Sequence, residues 1–290
     1  MDIHIRKPFG YSHQGRRQNQ QDAMCPEEFS EETAWVAVCD GVGGLAKGEI
    51  ASELVCEAFS RMLDGQFQQG DSMDKRRFED VLHYAYSMLY ENRRLGMAMA
   101  TTLAFLAITS EGVLLAHIGD SRIYQIRPGK GVVFMTDDHS LVRAMVREGT
   151  ITEEEAINHE KRNVITRCLR VVEKGGNGDE ATVDVIRDIE KGDIFLVCTD
   201  GVYGEIPESE LTALLSEKCE LKEKADKLAS ITCHSNDNNT ACLIEIANVA
   251  NNYNAHNETY ETSIFTGNKS YTSEIKENIG TFFRKLFSKK

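Results

Sequence analysis

The stretch VLLAHIGDSRIYQIR (113–127) decides how this chain is expected to fold. Val113 to Ile118 is an apolar run of strand length, and RIYQIR (122–127) alternates apolar and polar residues as a second strand would. Between them Gly119-Asp120 is the two-residue connection expected of a tight hairpin. Working outward, AWVAVCD (34–40), TTLAFLAITS (101–110), ATVDVIRD (181–188), DIFLVCTD (193–200) and TACLIEI (240–246) have the same length and β-branched content. Helical periodicity occupies about 48–63 (Ile50, Leu54, Ala58, Met62) and 75–91 (Phe78, Val81, Leu82, Ala85, Leu89), then 140–147, 152–159, 207–216 and 221–232. Long helices falling between groups of hairpin-linked strands imply an α+β class, with antiparallel sheets and helices packed outside.

A chain of 290 residues, 41% hydrophobic and 27% charged, can bury an ordinary core as one large domain or two small ones. No run approaches the roughly 18 apolar residues of a membrane span, and MDIHIRKPFG lacks the apolar stretch of a signal peptide, so a cytoplasmic protein is expected. The 33 basic and 46 acidic residues give a net charge of −13, which argues against nucleic acid as a partner. Eight cysteines (25, 39, 56, 168, 198, 219, 233, 242) contain no CxxC pair, and several sit in apolar runs such as VAVCDG and FLVCTDG. They read as small buried hydrophobes, neither a disulfide framework nor a zinc site.

Composition shifts once, near residue 248. The body, 1–247, shows no internal repeat; 248–273 is rich in Asn, Thr, Ser and Tyr without an apolar period, as a flexible linker would be. In 274–290 a pattern returns, with Ile275, Ile279, Phe282, Phe283, Leu286 and Phe287 at helical spacing among Lys276, Arg284, Lys285, Lys289 and Lys290. A short amphipathic basic helix of this kind suits an anionic membrane surface or a partner protein; a helix folded back on the body fits the pattern equally well.

The chemical signal is where aspartates fall. Asp40 follows AWVAVC and opens DGVGG, Asp120 follows LLAHIG, Asp200 follows IFLVCT, and Asp237 sits in SNDNNT just before TACLIEI. Carboxylates at strand ends beside glycines or polar turns can converge at one end of a sheet, and such oxygen ligands favour hard cations, Mg²⁺ or Mn²⁺. Any one Asp-Gly is more often an ordinary turn, but DGxGG arises by chance in only about half a percent of chains this long, and it occurs here with three further acids.

Taken in order, GRRQNQQDA (15–23), CDGVGG (39–44), AHIGDSRIY (116–124), CTDGV (198–202) and SNDNNTACLI (235–244) resemble the successive motifs of the bacterial branch of the metal-dependent, type 2C serine/threonine protein phosphatases. The resemblance covers roughly residues 8–247. It implies a sandwich of two antiparallel β-sheets flanked by α-helices, a four-layer αββα arrangement, with a metal cleft at one end. It implies that Asp40 bridges two Mn²⁺ or Mg²⁺ ions and that Gly41 lends its carbonyl to the second. Asp200 and Asp237 would complete the first site, and Asp120 with Asp200 the third site of bacterial members. Arg17 would hold the substrate phosphate, and Asp22 closes the opening motif. A planar guanidinium suits two phosphate oxygens, and paired cations acidify a water for in-line attack on phosphorus, so no covalent phosphoenzyme is needed.

Two positions depart from the family. Gln21 stands where Glu is common, replacing a negative contact to the second metal by a neutral amide. Val42 stands where eukaryotic members carry a histidine proposed as general acid, which leaves His139 and His13 as candidates by composition alone. Residues 138–170 read as two short helices, the first ended by Gly149 and the second opened by a Thr152–Glu155 capping box, and resemble the flap that lies beside the cleft. Arg162, Asn163 and Arg167 would meet substrate there. The expected activity is hydrolysis of phosphoserine and phosphothreonine on proteins, opposing a Ser/Thr kinase. The rival readings are a catalytically weak phosphoprotein-binding regulator, motivated by Gln21, and a hydrolase of small phosphate esters.

Overall fold

A computed structural model describes residues 1–42, 47–93, 98–173 and 176–250. Along the chain run β1 (Asp2–Ile5), β2 (Phe9–His13), β3 (Asp22–Cys25), β4 (Trp35–Asp40), α1 (Gly48–Leu63), α2 (Lys75–Glu91), β5 (Ala100–Thr101), β6 (Leu103–Thr109), β7 (Gly112–Ile118), β8 (Arg122–Arg127) and β9 (Gly131–Met135). There follow α3 (Leu141–Arg147), α4 (Glu153–Ile157), β10 (Leu169–Arg170), β11 (Thr182–Ile186), β12 (Ile194–Cys198), α5 (Asp200–Tyr203), α6 (Glu208–Leu215), α7 (Leu221–Thr232) and β13 (Asn239–Ala250).

The strands form two main antiparallel sheets. One has the order β1-β13-β12-β8-β9, with β2 also paired to β13; the other has the order β11-β7-β6-β4-β3. Because side chains alternate along a strand, each central strand feeds two cores. In β4, Val36 and Val38 enter the core between the sheets, where they meet Leu106, Phe195, Val197 and Ile244. Ala37 and Cys39 point the other way, to a core with Phe59 of α1, Phe78 of α2 and Phe105 of β6. On the far side Leu196 and Leu243 pack under Leu211, Leu215 and Leu228 of α6 and α7. The result is the expected four-layer αββα sandwich. Strands buried on both faces read as unbroken apolar runs, and each fully buried aliphatic or aromatic side chain contributes about 1.5–3 kcal/mol.

The connection at 119–120 differs from the hairpin expected of it. β7 belongs to one sheet and β8 to the other, so Gly119-Asp120 carries the chain across the sandwich. The tight hairpins flank it: β6 and β7 close at Thr109–Gly112, β8 and β9 at Arg127–Gly131. Strand partnership is set by which faces can be buried together, and a turn dipeptide serves a corner as readily as a hairpin.

Asn248, Val249 and Ala250, read as the start of a linker, are the end of β13 and pair with His4, Ile3 and Asp2. The remainder of that segment and the helix expected over 274–290 lie outside the described residues, as do Gly43 and Gly44. All eight cysteines are free; those at 25, 39, 56, 168, 198 and 242 are buried, and those at 219 and 233 are partly exposed. Among the described residues no helix is long and apolar enough to cross a membrane.

Candidate metal centre and phosphate site

The acids gather where the ends of strands from both sheets meet. Asp40 ends β4 and faces Asp22 across the β3–β4 ladder. Its backbone is fixed by threonines: Asp40 N–H donates to Thr102 Oγ1 at 3.0 Å, and its carbonyl accepts from Thr101 Oγ1 at 2.8 Å. Gly41 bridges to Thr101, and a Cβ there would lie 2.5 Å from the Gly48 carbonyl carbon, so the close approach of α1 requires glycine. Asp200 opens α5 directly after β12. Asp120 sits at the sheet-to-sheet corner, where its carbonyl accepts from Tyr203 Oη at 3.0 Å. Asp237 lies before β13 and is ion-paired to Arg17, whose Nη2 is 2.6 Å from Asp237 Oδ2. Arg17, expected to hold phosphate, and Asp237, expected to hold a cation, thus stand side by side.

The electrostatics describe a set of anions that need a cation. Burial, then Asp22, Asp200, Asp120 and Asp237, push the Asp40 carboxyl well above the usual range. Burial, then Asp200 and Asp138, do the same to Asp120. Asp200 is pushed up to about 6 by burial and then by Asp237. Asp22 is pushed up to about 7 by burial, although hydrogen bonds from Thr240 and Thr199 pull the other way. Buried Asp200 Oδ1 and Asp22 Oδ1 have no hydrogen-bond partner. Among the described residues no three carboxylate, thiol or imidazole groups close on a single point. An all-oxygen set with mutual repulsion and an unpaired buried oxygen fits hard divalent cations, which would remove the cost of burying the charges.

Several residues that build the site carried no signal of their own. Asn238, within the SNDNNT run, accepts from Gln21 N–H at 2.9 Å and donates to the Gln14 and Asn19 carbonyls at 2.8 and 2.9 Å. It pins the loop that carries Arg17. Thr102 Oγ1 lies 2.7 Å from Ser121 Oγ, tying the Asp40 strand to the corner of Asp120. The Gln21 amide donates to Glu49 Oε2 at 3.3 Å. That carboxylate, in the first turn of α1, stands beside the position where the family carries Glu, and its other oxygen lies 3.5 Å from Lys47 Nζ.

The histidines and the flap residues fare differently. His139 is buried and its ring is engaged with backbone and Thr182, so it is not placed as a general acid. His13 ends β2, stacks obliquely on Tyr11, and has a buried Nδ1 without a partner. Within 138–170, α3 forms as expected and α4 forms over Glu153–Ile157, shorter than 152–159, with the Thr152–Glu155 capping box and Gly149 at φ +69°. Arg162, Asn163 and Arg167 are all exposed, and Arg167 Nη1 also comes within 3.4 Å of His139 Nε2.

The chain matches the protein phosphatase 2C family over residues 9–235, and it belongs to that family. It is therefore a metal-dependent protein-serine/threonine phosphatase. It is 32% identical over 240 residues to protein phosphatase PhpP of Streptococcus pneumoniae, which covers 80% of this chain and 93% of that protein. It is 30% identical over 222 residues to the serine/threonine phosphatase stp of Listeria monocytogenes, covering 72% and 83%. In three dimensions it is similar to the Mycobacterium tuberculosis serine/threonine phosphatase PstP/Ppp, with a TM-score of 0.71 at 28% identity over 85% of this chain and all of that one. It is likewise similar to a PstP catalytic domain holding 2 manganese ions, with a TM-score of 0.67 at 27% identity, over 85% of this chain and all of that one.

Proposed function

We propose that the chain removes phosphate from phosphoserine and phosphothreonine of proteins in the cytoplasm, opposing a Ser/Thr kinase, at a cation cluster held by Asp40, the Gly41 carbonyl, Asp120, Asp200 and Asp237. The observation that carries this assignment is that burial and neighbouring carboxylates raise both the Asp40 and Asp200 carboxyls, that Asp200 Oδ1 is buried without a partner, and that Arg17 is ion-paired to Asp237. When bound, divalent cations supply an acidified water and positive charge for the phosphoryl oxygens.

The protein's own groups do the rest. Asp40, Gly41, Asp200 and Asp237 would hold two Mn²⁺ or Mg²⁺ ions, and Asp120 with Asp200 a third. Arg17, exposed and anchored through Asp237, offers its guanidinium to the oxygens of the phosphate and aligns phosphorus with the cleft. Asp22 keeps the β3–β4 corner rigid by accepting from Thr199 Oγ1 at 2.9 Å. Gln21 and Glu49 together would orient water around the second cation. The flap, 138–170, borders the cleft and would touch the polypeptide that carries the phosphate, with Arg162 and Asn163 exposed for that contact. The basic pattern of 275–290 is suited to an anionic membrane surface or a partner protein, separate from the chemistry.

The test is phosphate release from a phosphothreonine peptide with and without Mn²⁺, for the wild type and Asp237→Asn. Metal-dependent turnover that falls by orders of magnitude in the variant is the expected result. A folded wild type that binds Mn²⁺ but releases no phosphate from any ester would replace this reading with the phospho-binding one.

A further inference from the structure

The corner that carries Asp120 is gripped from two sides. Gly119 has φ of +102°, and a Cβ there would lie 2.6 Å from Thr102 Cγ2, so only glycine fits. From the other side a single residue holds both polar groups of its backbone. His139 N–H donates to the Gly119 carbonyl at 2.8 Å, and Gly119 N–H donates to His139 Nδ1 at 3.2 Å. With Nδ1 accepting, the neutral imidazole carries its proton on Nε2, which lies 2.9 Å from Thr182 Oγ1 on β11; Arg167 Nη1, 3.4 Å from Nε2, is also a donor and makes no hydrogen bond with that tautomer. The ring stacks on His117, with centroids 4.5 Å apart and planes 14° from parallel, and His117 Nε2 meets the Asp137 carbonyl at 3.0 Å.

The same residue joins the two ends of the flap. Thr166 N–H donates to the His139 carbonyl at 2.7 Å, and Leu141 N–H to the Val164 carbonyl at 2.8 Å. The entry and exit of segment 138–170 are therefore fastened where Gly119 is fastened, next to Asp120.

We propose that His139 is a positioning residue that fixes the Gly119 peptide, and through it the aim of Asp120, and so couples the flap to the third-cation position. The inference rests on the reading of Asp120 as a cation ligand given above. His139 touches neither substrate nor cation in this role; it sets the direction of the carboxylate that does. A displaced carboxylate at a metal position costs about 10–100-fold in affinity or activity, which sets the expected scale.

The experiment compares His139→Leu, His139→Asn, Thr182→Val and Asp120→Asn in the full-length protein. Mn²⁺ binding is read by calorimetry, thermal unfolding in chelator reports the folded state, and kcat and KM are measured on a phosphothreonine peptide. His139→Leu is expected to stay folded, to weaken by about tenfold or more the Mn²⁺ step that Asp120→Asn abolishes, and to lower kcat by about tenfold with KM little changed. His139→Asn, whose Oδ1 can accept from Gly119 N–H, is expected to recover most of both. Thr182→Val, which frees only the far side of the ring, is expected to give a smaller loss in the same direction and reports on the clamp should His139→Leu not fold. Wild-type Mn²⁺ binding and kcat in His139→Leu, with Asp120→Asn impaired, would overturn the proposal alone, as would a His139→Asn no better than His139→Leu. An Asp120→Asn without effect on either would remove the reading of Asp120 and the proposal with it.

Discussion

Strand β12 carries an aspartate at each end, and the two live under opposite conditions. Asp193, just before the strand, is 1% exposed, yet every part of its carboxylate is answered. Arg127 Nε and Nη2 donate at 2.8 and 2.9 Å, Gln125 Nε2 at 2.8 Å and Glu190 N–H at 2.9 Å. Burial acts to raise its pKa, but these bonds and the Arg127 charge outweigh it and hold the carboxyl below its usual value. Asp200, just after the strand, has an unpaired Oδ1 and is pushed up to about 6. One end of the sandwich spends its acid on architecture, and the other keeps its acids unsatisfied for a ligand to complete.

The largest expected effect breaks the comparison at the unsatisfied end. Asp200→Asn should lower phosphate release from a phosphothreonine peptide at saturating Mn²⁺ by about a thousandfold, the order of several kcal/mol of lost charge stabilisation. Thermal unfolding in chelator should be unchanged or higher, since the substitution removes a repelled charge. A variant that keeps wild-type turnover would show that Asp200 holds no cation needed for the reaction.

Asp193→Ala should do the converse. Removing one partner leaves the Arg127 guanidinium buried without its main anion, which costs about 3–5 kcal/mol. Urea unfolding should show the loss as a lower midpoint, while kcat per folded molecule stays within about twofold. A large fall in kcat with stability intact would erase the distinction between the two ends.

Both aspartates were visible in DIFLVCTD as acids bracketing an apolar strand, and nothing local showed which of them would find a cationic partner. What separates them is Arg127 on β8, brought alongside β12 by sheet pairing that a local pattern does not encode. Asp200 was singled out because a glycine follows it and three similar acids recur. The six helices read from the sequence formed to within two residues at each end, since a 3.6-residue period needs no partner, whereas α5, a single turn after β12, was missed. β1, β2, β3 and β9 were missed because DIHI, FGYSH, DAMC and GVVFM are short and partly polar, and become strands only by adding to sheets that already exist. Gly119-Asp120 was read as a hairpin because the φ it needs is the same at a corner. Asn238, Thr102 and the His139 clamp were hidden for the same reason: each acts on backbone far away in sequence.

Cation addition should sharpen the contrast on a smaller scale. With Mn²⁺ at a hundredfold excess over its dissociation constant, the native state gains about 2.7 kcal/mol per site, read as a rise in melting temperature. Asp237→Asn should reduce that rise, and Asp193→Ala should retain it on top of its lower baseline. An equal rise in both variants would mean that Mn²⁺ binds elsewhere.

The smallest effect tests a third kind of buried group, one kept neutral. Burial, the neighbouring His117, and then Arg167 and Arg147, lower the His139 pKa to about 2 from a reference of 6.5. His117 is also lowered, chiefly by burial. Below pH 6.5 the unfolded chain takes up a proton at His139 that the folded chain refuses, so stability contributed by the neutral ring is full above 6.5 and declines as pH falls from there toward about 2. Asp193 works in the same direction but lower, since its stabilisation is lost only as pH falls below the reference 3.8. At pH 5.5 the loss from His139 is about 1.4 kcal/mol relative to neutral pH. Urea titrations of the metal-free protein at pH 7.5 and 5.5 should show that decrement as the difference between wild type and His139→Asn, because Asp22 and Asp200, raised to about 7 and about 6, act in the opposite sense in both proteins. If the variant loses as much as the wild type over this interval, His139 is not the group that refuses the proton, and its tautomer is not fixed by Gly119.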